Sequence, residues 1–358
     1  MVHETHEKNA NSYEPHLGLL TARIKIPLAG EIRAYYLLLF SLFILFLITK
    51  NAAVGLLAGI TILFIVLWES GSSIISNYRQ NSHEKKEIDA DLLAKAVFYE
   101  LKDVFIAIFI GVVVWFGSGY LLNTPTPINA IVSCSMLPAY ERGDMIILQG
   151  ADVNTQYLQY SGKLADIAQT AQIAYQNSTF EVQGSIYSYC MQNRDERCNN
   201  FWISPQEFKE SHGPLEFEYS LCKKYYYKEN RIELRPCITK TIFEGEEILF
   251  DENADLLVYR PGENDIYALT GDIVHRARFA VEAGDGQAYF MKGDNNAVYD
   301  FQFYSQAHGK GNLPVREGQL LGKSVLRMPF IGNFKLFIAP QVLVLPDEST
   351  GCNAYFVK

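Results

Sequence analysis

Three charge-free apolar runs, all ahead of residue 123, constrain this chain more than any other feature. They are Ala34 to Thr49, Ala52 to Trp68 and Val104 to Leu122. A run that is apolar on every side has to be buried, and as a helix it satisfies its own backbone hydrogen bonds. Crossing a bilayer takes about 20 such residues, within a range of roughly 17 to 25. The first two runs are short for that, and Lys50-Asn51 between them suits the turn of a tight helical hairpin. A re-entrant hairpin is the alternative for that pair. The third run has only Gly111, Gly117 and Gly119 as weak helix formers. The first run is no cleavable leader, because a second apolar run follows it in place of a small-residue cleavage site.

Lys and Arg mark the flanks. Residues 1–33 hold Lys8, Arg23, Lys25 and Arg33, and residues 69–103 hold Arg79, Lys85, Lys86, Lys95 and Lys102, while the hairpin turn holds Lys50. The positive-inside rule places both flanks in the cytoplasm and everything past residue 123 outside. The stretch from Glu84 to Lys102 mixes charge with spaced Leu, Ala, Val and Phe, so an amphipathic helix running into the third span is expected there, with a solvated connector as the alternative. Cys190, Cys198, Cys222 and Cys237 crowd one segment, with spacing unlike a paired C-x-x-C zinc site. Two disulfides in an oxidising compartment are expected, their connectivity open. Neither a metal nor a cofactor is expected. A formal charge of -9 argues against nucleic acid as a partner.

Past Leu122 the character changes. Pro125 and Pro127 end the helix and force extended backbone. Strand-like runs follow at Ile128–Cys134, Met145–Leu148, Asp255–Tyr259, Asp265–Leu269, Ala288–Met291, Gln319–Val325 and Gln341–Leu345. Leu164 to Tyr175 is read as a helix, Asn177-Ser178-Thr179 fits a glycosylation acceptor, and Tyr225-Tyr226-Tyr227 suits either packing or a partner. Leu326 to Leu345 is apolar but broken by Arg327, Asn333, Lys335 and Pro340, which suits a strand and a membrane-resting surface rather than a span. The expected fold is a membrane-anchored, mainly β protein. It has a cytoplasmic tail 1–33, a transmembrane hairpin 34–68, a cytoplasmic loop or amphipathic helix 69–103, a transmembrane helix 104–122 and an extracytoplasmic β-rich domain 123–358. An inserted subdomain occupies about 151–253.

Chemistry concentrates in three segments. Ser133-Cys134-Ser135-Met136-Leu137-Pro138 comes just after the third apolar run, Gly271-Asp272-Ile273-Val274-His275-Arg276 later, then Lys292-Gly293-Asp294-Asn295-Asn296 with Asp300 beyond. A serine nucleophile needs a base that titrates near working pH and donors for the oxyanion. Ser135 is the candidate nucleophile and His275 the candidate base, since imidazole suits neutral pH. In an extended segment Ser133 and Ser135 share a face and Cys134 takes the other, which makes the thiol the poorer nucleophile. Asp294 and Asp300 are the candidate carboxylates.

These segments, in this order, resemble the type I signal peptidases, in particular the endoplasmic-reticulum and archaeal branch. The resemblance covers Val104 to about Leu148 and Asp255 to about Phe337. It implies a twisted β-rich catalytic fold with an open groove, and a membrane-bound serine endopeptidase that removes leader peptides after small residues. It implies that the Ser133 hydroxyl and the Ser135 N–H bind the oxyanion, and that Met136 and Pro138 shape the turn at the substrate. It favours Asp300 for orienting His275 and Asp294 for holding the loop and nearby backbone. Where the bacterial branch has a lysine base, this chain has Ile273-Val274-His275-Arg276; Lys292 lies in a segment to which the resemblance gives no such role. Cys134 and Ala139 depart from the family's usual residues. Implied partners are signal-peptide-bearing preproteins, the lipid bilayer, and accessory membrane subunits or a translocon. The implied location is a multi-pass cell-membrane protein, with the endoplasmic reticulum as the alternative. Two rival readings are a narrow-specificity processing peptidase and a non-catalytic membrane-anchored binding or assembly protein.

Overall fold

The structure is a computed structural model that describes residues 23–26, 30–49, 54, 56–65, 68, 90–150, 152–167, 169–225 and 232–338. Two compact units divide the chain, one taking in 1–107 with 337–342, the other 108–336 with 343–358. The expected strand at Gln341–Leu345 lies outside the described residues, as do Tyr226, Tyr227 and the segment 69–89.

In the first unit, strands β1 (Arg23–Ile26) and β2 (Gly30–Arg33) pair antiparallel within what the sequence reads as a plain tail. Helix α1 (Ala34–Thr49) follows directly. Helix α2 (Ala90–Leu121), which starts in this unit and ends in the second, is continuous through the charged stretch and the third apolar run. No helix among the described residues is long and apolar enough to cross a membrane, and this overturns the expected transmembrane anchor. The 16 residues of α1 rise about 24 Å, short of a hydrocarbon core of roughly 30 Å. In α2, Asp91, Lys95, Glu100, Lys102 and Asp103 occupy the first half, and Gly111, Gly117, Ser118 and Gly119 dilute the second.

The second unit is mainly β. Strand β3 (Ile128–Ala130) is shorter than expected, because the chain turns at Ser133. Strand β4 (Met145–Gln149) alternates as a half-buried strand should, with Ile146 and Leu148 inside. Strand β5 (Tyr157–Tyr160) comes next. Then β6 (Thr170–Tyr175) and β7 (Ser178–Gln183) form a hairpin. This corrects the expected helix at Leu164–Tyr175. Ala171 and Ile173 are buried between exposed Gln172 and Ala174, a period of two that favours a strand, and only a 3-10 turn forms at Leu164–Asp166. Asn177 sits exposed in the hairpin turn.

Two short helices follow, α3 (Ile186–Gln192) and α4 (Glu196–Ile203). Each starts at a side-chain cap: the Ser188 N–H donates to Ser185, and the Cys198 N–H donates to Asp195. The insert continues through β8 (Phe208–His212), β9 (Leu215–Tyr225), β10 (Ile232–Phe243) and β11 (Glu246–Ile248). Its antiparallel sheet runs β11-β10-β9-β8-β6-β7. Disulfides join Cys190 to Cys198 and Cys222 to Cys237. Cys134 is disulfide-bonded as well.

The remaining elements are β12 (Leu256–Tyr259), β13 (Ile273–Ala283), β14 (Gly286–Lys292), β15 (Tyr304–Ser305), β16 (Lys310–Gly311), β17 (Val315–Arg316), β18 (Leu320–Met328) and helix α5 (Gly332–Ile338). The expected strand at Asp265–Leu269 is instead a 3-10 turn over Ile266–Leu269. The main sheet runs β17-β14-β13-β12-β18-β4-β3, with β5 added in parallel along β13. So β5 belongs to the main sheet although it falls inside the expected insert. One core joins the two sheets: Phe279 and Phe290 of β13 and β14 stack at 4.5 Å, and Phe217 of β9 lies 5.5 Å from Tyr299.

Candidate active site

Strand β13 and the turn after β3 bring the sequence-selected residues together. Ser135 Oγ lies 2.9 Å from His275 Nε2, and His275 Nδ1 lies 2.6 Å from Asp300 Oδ2. All three side chains are buried. Burial excludes competing water and strengthens each contact. The register explains the placement of His275. It stands opposite Leu257 in β12, and β14 pairs with β13 only from Arg276↔Lys292 onward. Among the described residues no strand pairs with Ile273–His275 on that second side.

The turn at Ser133–Ala139 is irregular rather than extended, yet Ser133 Oγ comes within 3.0 Å of Ser135 Oγ. Met136 is buried and Pro138 exposed, so only Met136 packs into the fold. Cys134 is taken up in a disulfide and has no thiol to offer. The turn is fixed from below by Asn295. Its N–H donates to Ser135 O at 2.8 Å, and Nδ2 donates to Cys134 O at 3.0 Å and to Tyr225 O at 2.9 Å. Oδ1 accepts the Tyr225 N–H at 2.9 Å, and the Asn295 carbonyl accepts Lys224 Nζ at 2.7 Å. The Ser133–Ala139 turn and the end of β9 are thus held by one residue. Gly293 permits the approach, since a Cβ there would sit 2.7 Å from Ser135 O.

The two carboxylates separate cleanly. Asp300 opens a 3-10 turn and alone reaches His275. No described hydrogen bond or ion pair joins Asp294 to His275. Asp294 accepts from Arg276 Nε at 2.9 Å and Nη2 at 2.7 Å, and from Arg278 Nη2 at 2.8 Å. Asp294 therefore binds the guanidinium groups of β13 rather than backbone, and this explains the basic run after His275. Lys292 is buried and donates to Asn296 O at 2.5 Å. Burial first, then the neighbouring Arg278, lowers its ammonium to about 7. Its one described hydrogen bond goes to the Asn296 carbonyl and not to Ser135.

Two contributors were missed by sequence reasoning. Tyr259 Oη donates to Asp300 Oδ2 at 2.8 Å, and Asn312 Nδ2 donates to the Asp300 carbonyl at 2.9 Å. Neither stands in a motif, and only the end of a strand-like run marked Tyr259. Asn295 was read as a turn former, when its side chain is a buried three-way tie. The 3-10 turn is also tethered to the insert. Gln302 Nε2 donates to Glu210 Oε1 at 2.5 Å, and Glu210 accepts from Tyr219 Oη at 2.7 Å.

The fold and geometry define a mainly β protein with a buried Ser-His-Asp chain of contacts. No family model and no curated protein matches this chain. Among the described residues no group of His, Cys, Asp and Glu is arranged to hold a metal ion.

Proposed function

We propose that this chain is a serine endopeptidase that removes leader peptides from exported preproteins, cutting after small residues. The observation that carries the reading is the unbroken chain of contacts from Ser135 Oγ through His275 to Asp300. Ser135 Oγ attacks the scissile carbonyl carbon as His275 Nε2 takes its proton. Asp300 orients the imidazole and stabilises its charged form. The Ser133 hydroxyl and the Ser135 N–H receive the oxyanion. The proton then passes from His275 to the leaving amine, and water releases the acyl group by the same steps in reverse.

Three features support the substrate class. The three motifs, in order, resemble type I signal peptidases of the endoplasmic-reticulum and archaeal branch. The unpaired side of β13 at Ile273–His275 suits an extended peptide added as a strand. Disulfides in the insert favour action outside the cytoplasm, where exported chains emerge. A narrower processing peptidase is the second reading, favoured by the insert strand β9 ending on Asn295 beside the nucleophile.

Cleavage of a purified preprotein by wild type, Ser135→Ala and His275→Ala tests the proposal. Both variants should lose at least about 10³-fold in kcat/KM while keeping the wild-type fold. Full activity in Ser135→Ala would refute it. A serine-directed phosphonate probe should label wild type at Ser135, and an unlabelled, folded wild type would favour a non-catalytic binding protein.

A further inference from the structure

Asp300 is bonded unevenly. Its Oδ2 faces His275 Nδ1 at 2.6 Å and also accepts the Tyr259 hydroxyl at 2.8 Å. Its buried Oδ1 has no hydrogen-bond partner among the described residues. A carboxylate in the interior is stabilised by each donor it accepts, so one phenol carries an unusual share here. Tyr259 is buried at the end of β12, next to the strand that carries His275. The register of β12 on β13 sets Tyr259 against Ile273, two residues from the histidine, so the phenol is fixed by the sheet.

We propose that Tyr259 is a positioning residue that tunes the base through Asp300, and so sets the pH range in which Ser135 is activated. The proposal rests on the peptidase reading for its kinetic expression, and on geometry alone for the contact. A hydroxyl that donates to Asp300 Oδ2 competes with His275 for the same oxygen. It draws charge from that oxygen and makes it a weaker acceptor for the imidazolium. The phenol keeps its proton at any working pH, because burial, and after it the Asp300 charge, holds it well above the usual tyrosine range. It is therefore a permanent donor rather than a second base.

The groups that face this assembly are few. Tyr267 and Asp265 act on Tyr259 from the 3-10 turn before β13, and Lys292 lies within electrostatic reach of Asp300 from β14. Ser135 faces His275 from the turn after β3. Asp294 is occupied by Arg276 and Arg278. Among the described hydrogen bonds, Tyr259 alone brings a side-chain hydroxyl to Asp300.

The test is Tyr259→Phe, which removes one oxygen and leaves the ring. Without the hydroxyl Asp300 holds the imidazolium more strongly, so the base stays protonated to higher pH. The acid limb of kcat/KM should move up by roughly half to one pH unit, with activity near pH 6 falling several-fold and KM little changed. Site-specific 3-fluorotyrosine at 259, a stronger donor, should move the limb the other way. A uniform loss at every pH with the limb unmoved would make Tyr259 merely structural and overturn the proposal. If Tyr259→Phe fails to fold, the fluorotyrosine chain decides alone: a downward shift supports, no shift overturns. A histidine-ring NMR titration of wild type and both variants reads the same displacement without any substrate. A wild type that neither cleaves nor labels with a phosphonate probe would sink the peptidase reading, while an unmoved NMR titration midpoint would sink this one.

Discussion

Asp294 and Asp300, six positions apart in one segment, show how little sequence distance says about role. Asp300 holds the histidine and Asp294 two arginines. Asp300→Asn should leave the fold intact and lower kcat by about 10⁴-fold, because the amide stabilises the wrong imidazole tautomer. Asp294→Asn should do the reverse. It leaves Arg276 and Arg278 without their counter-ion in a largely buried site, at a cost of about 1–3 kcal/mol in denaturant unfolding, while probe labelling of Ser135 persists. A loss of labelling in the folded Asp294→Asn chain would show that the guanidinium pair is part of the chemistry. The contacts among Ser135, His275 and Asp300 were legible because the three motifs together singled those residues out. Tyr259 and Asn295 were not, because strand-end and turn positions accept tyrosine and asparagine for many local reasons.

At the scale of elements, β4, β12, β14 and β18 were readable as short strand-like runs bounded by turn residues, although only β4 alternates in burial. Leu164–Tyr175 misled because its apolar residues, short and mixed with Gln and Thr, fit a helix face as well as a strand face. Ile266–Leu269 misled because a short apolar run carries no period at all. Cysteine pairing is invisible in spacing, and the structure resolves it along β9 and β10, where Cys222 and Arg235 stand opposite each other and Cys237 lies two residues on. The Cys222–Cys237 bridge closes a 15-residue separation. The Cys222→Ser, Cys237→Ser double variant should lose about 3 kcal/mol of unfolding free energy, read from urea midpoints on oxidised protein. The Cys190–Cys198 bridge spans 8 residues and should contribute less. Equal losses would argue that strain or denatured-state structure, not loop closure, dominates.

At the scale of the whole molecule, the apolar N-terminal runs pointed to a transmembrane anchor. No described helix meets the length and apolarity that crossing demands. The β-rich part was legible as a class, but the sharing of one aromatic core by two sheets was not, because contacts such as Phe217 with Tyr299 join residues far apart in sequence. Lys292, at the end of β14, is buried, with a measurable consequence for global stability. Its ammonium falls from 10.5 to about 7, while the unfolded chain keeps the ordinary value. Between those limits the unfolded state binds more protons, so folding gains stability as pH rises, on the order of 1 kcal/mol per pH unit at most. Below about pH 7 the full cost of burying the charge is present. Lys292→Met should flatten the rise between pH 7.5 and 9 relative to wild type; parallel curves would mean that the ammonium is better solvated than its burial implies.

Asn295 carries a different kind of consequence, one of mutational tolerance. Its amide donates to two carbonyls and accepts one N–H, across two segments far apart in the sequence. Aspartate lacks the donors, glutamine is a methylene too long, and alanine offers nothing. In a saturation scan scored by activity, position 295 should permit a single amino acid, and drift in the end of β9 should be confined to changes that leave its backbone in place.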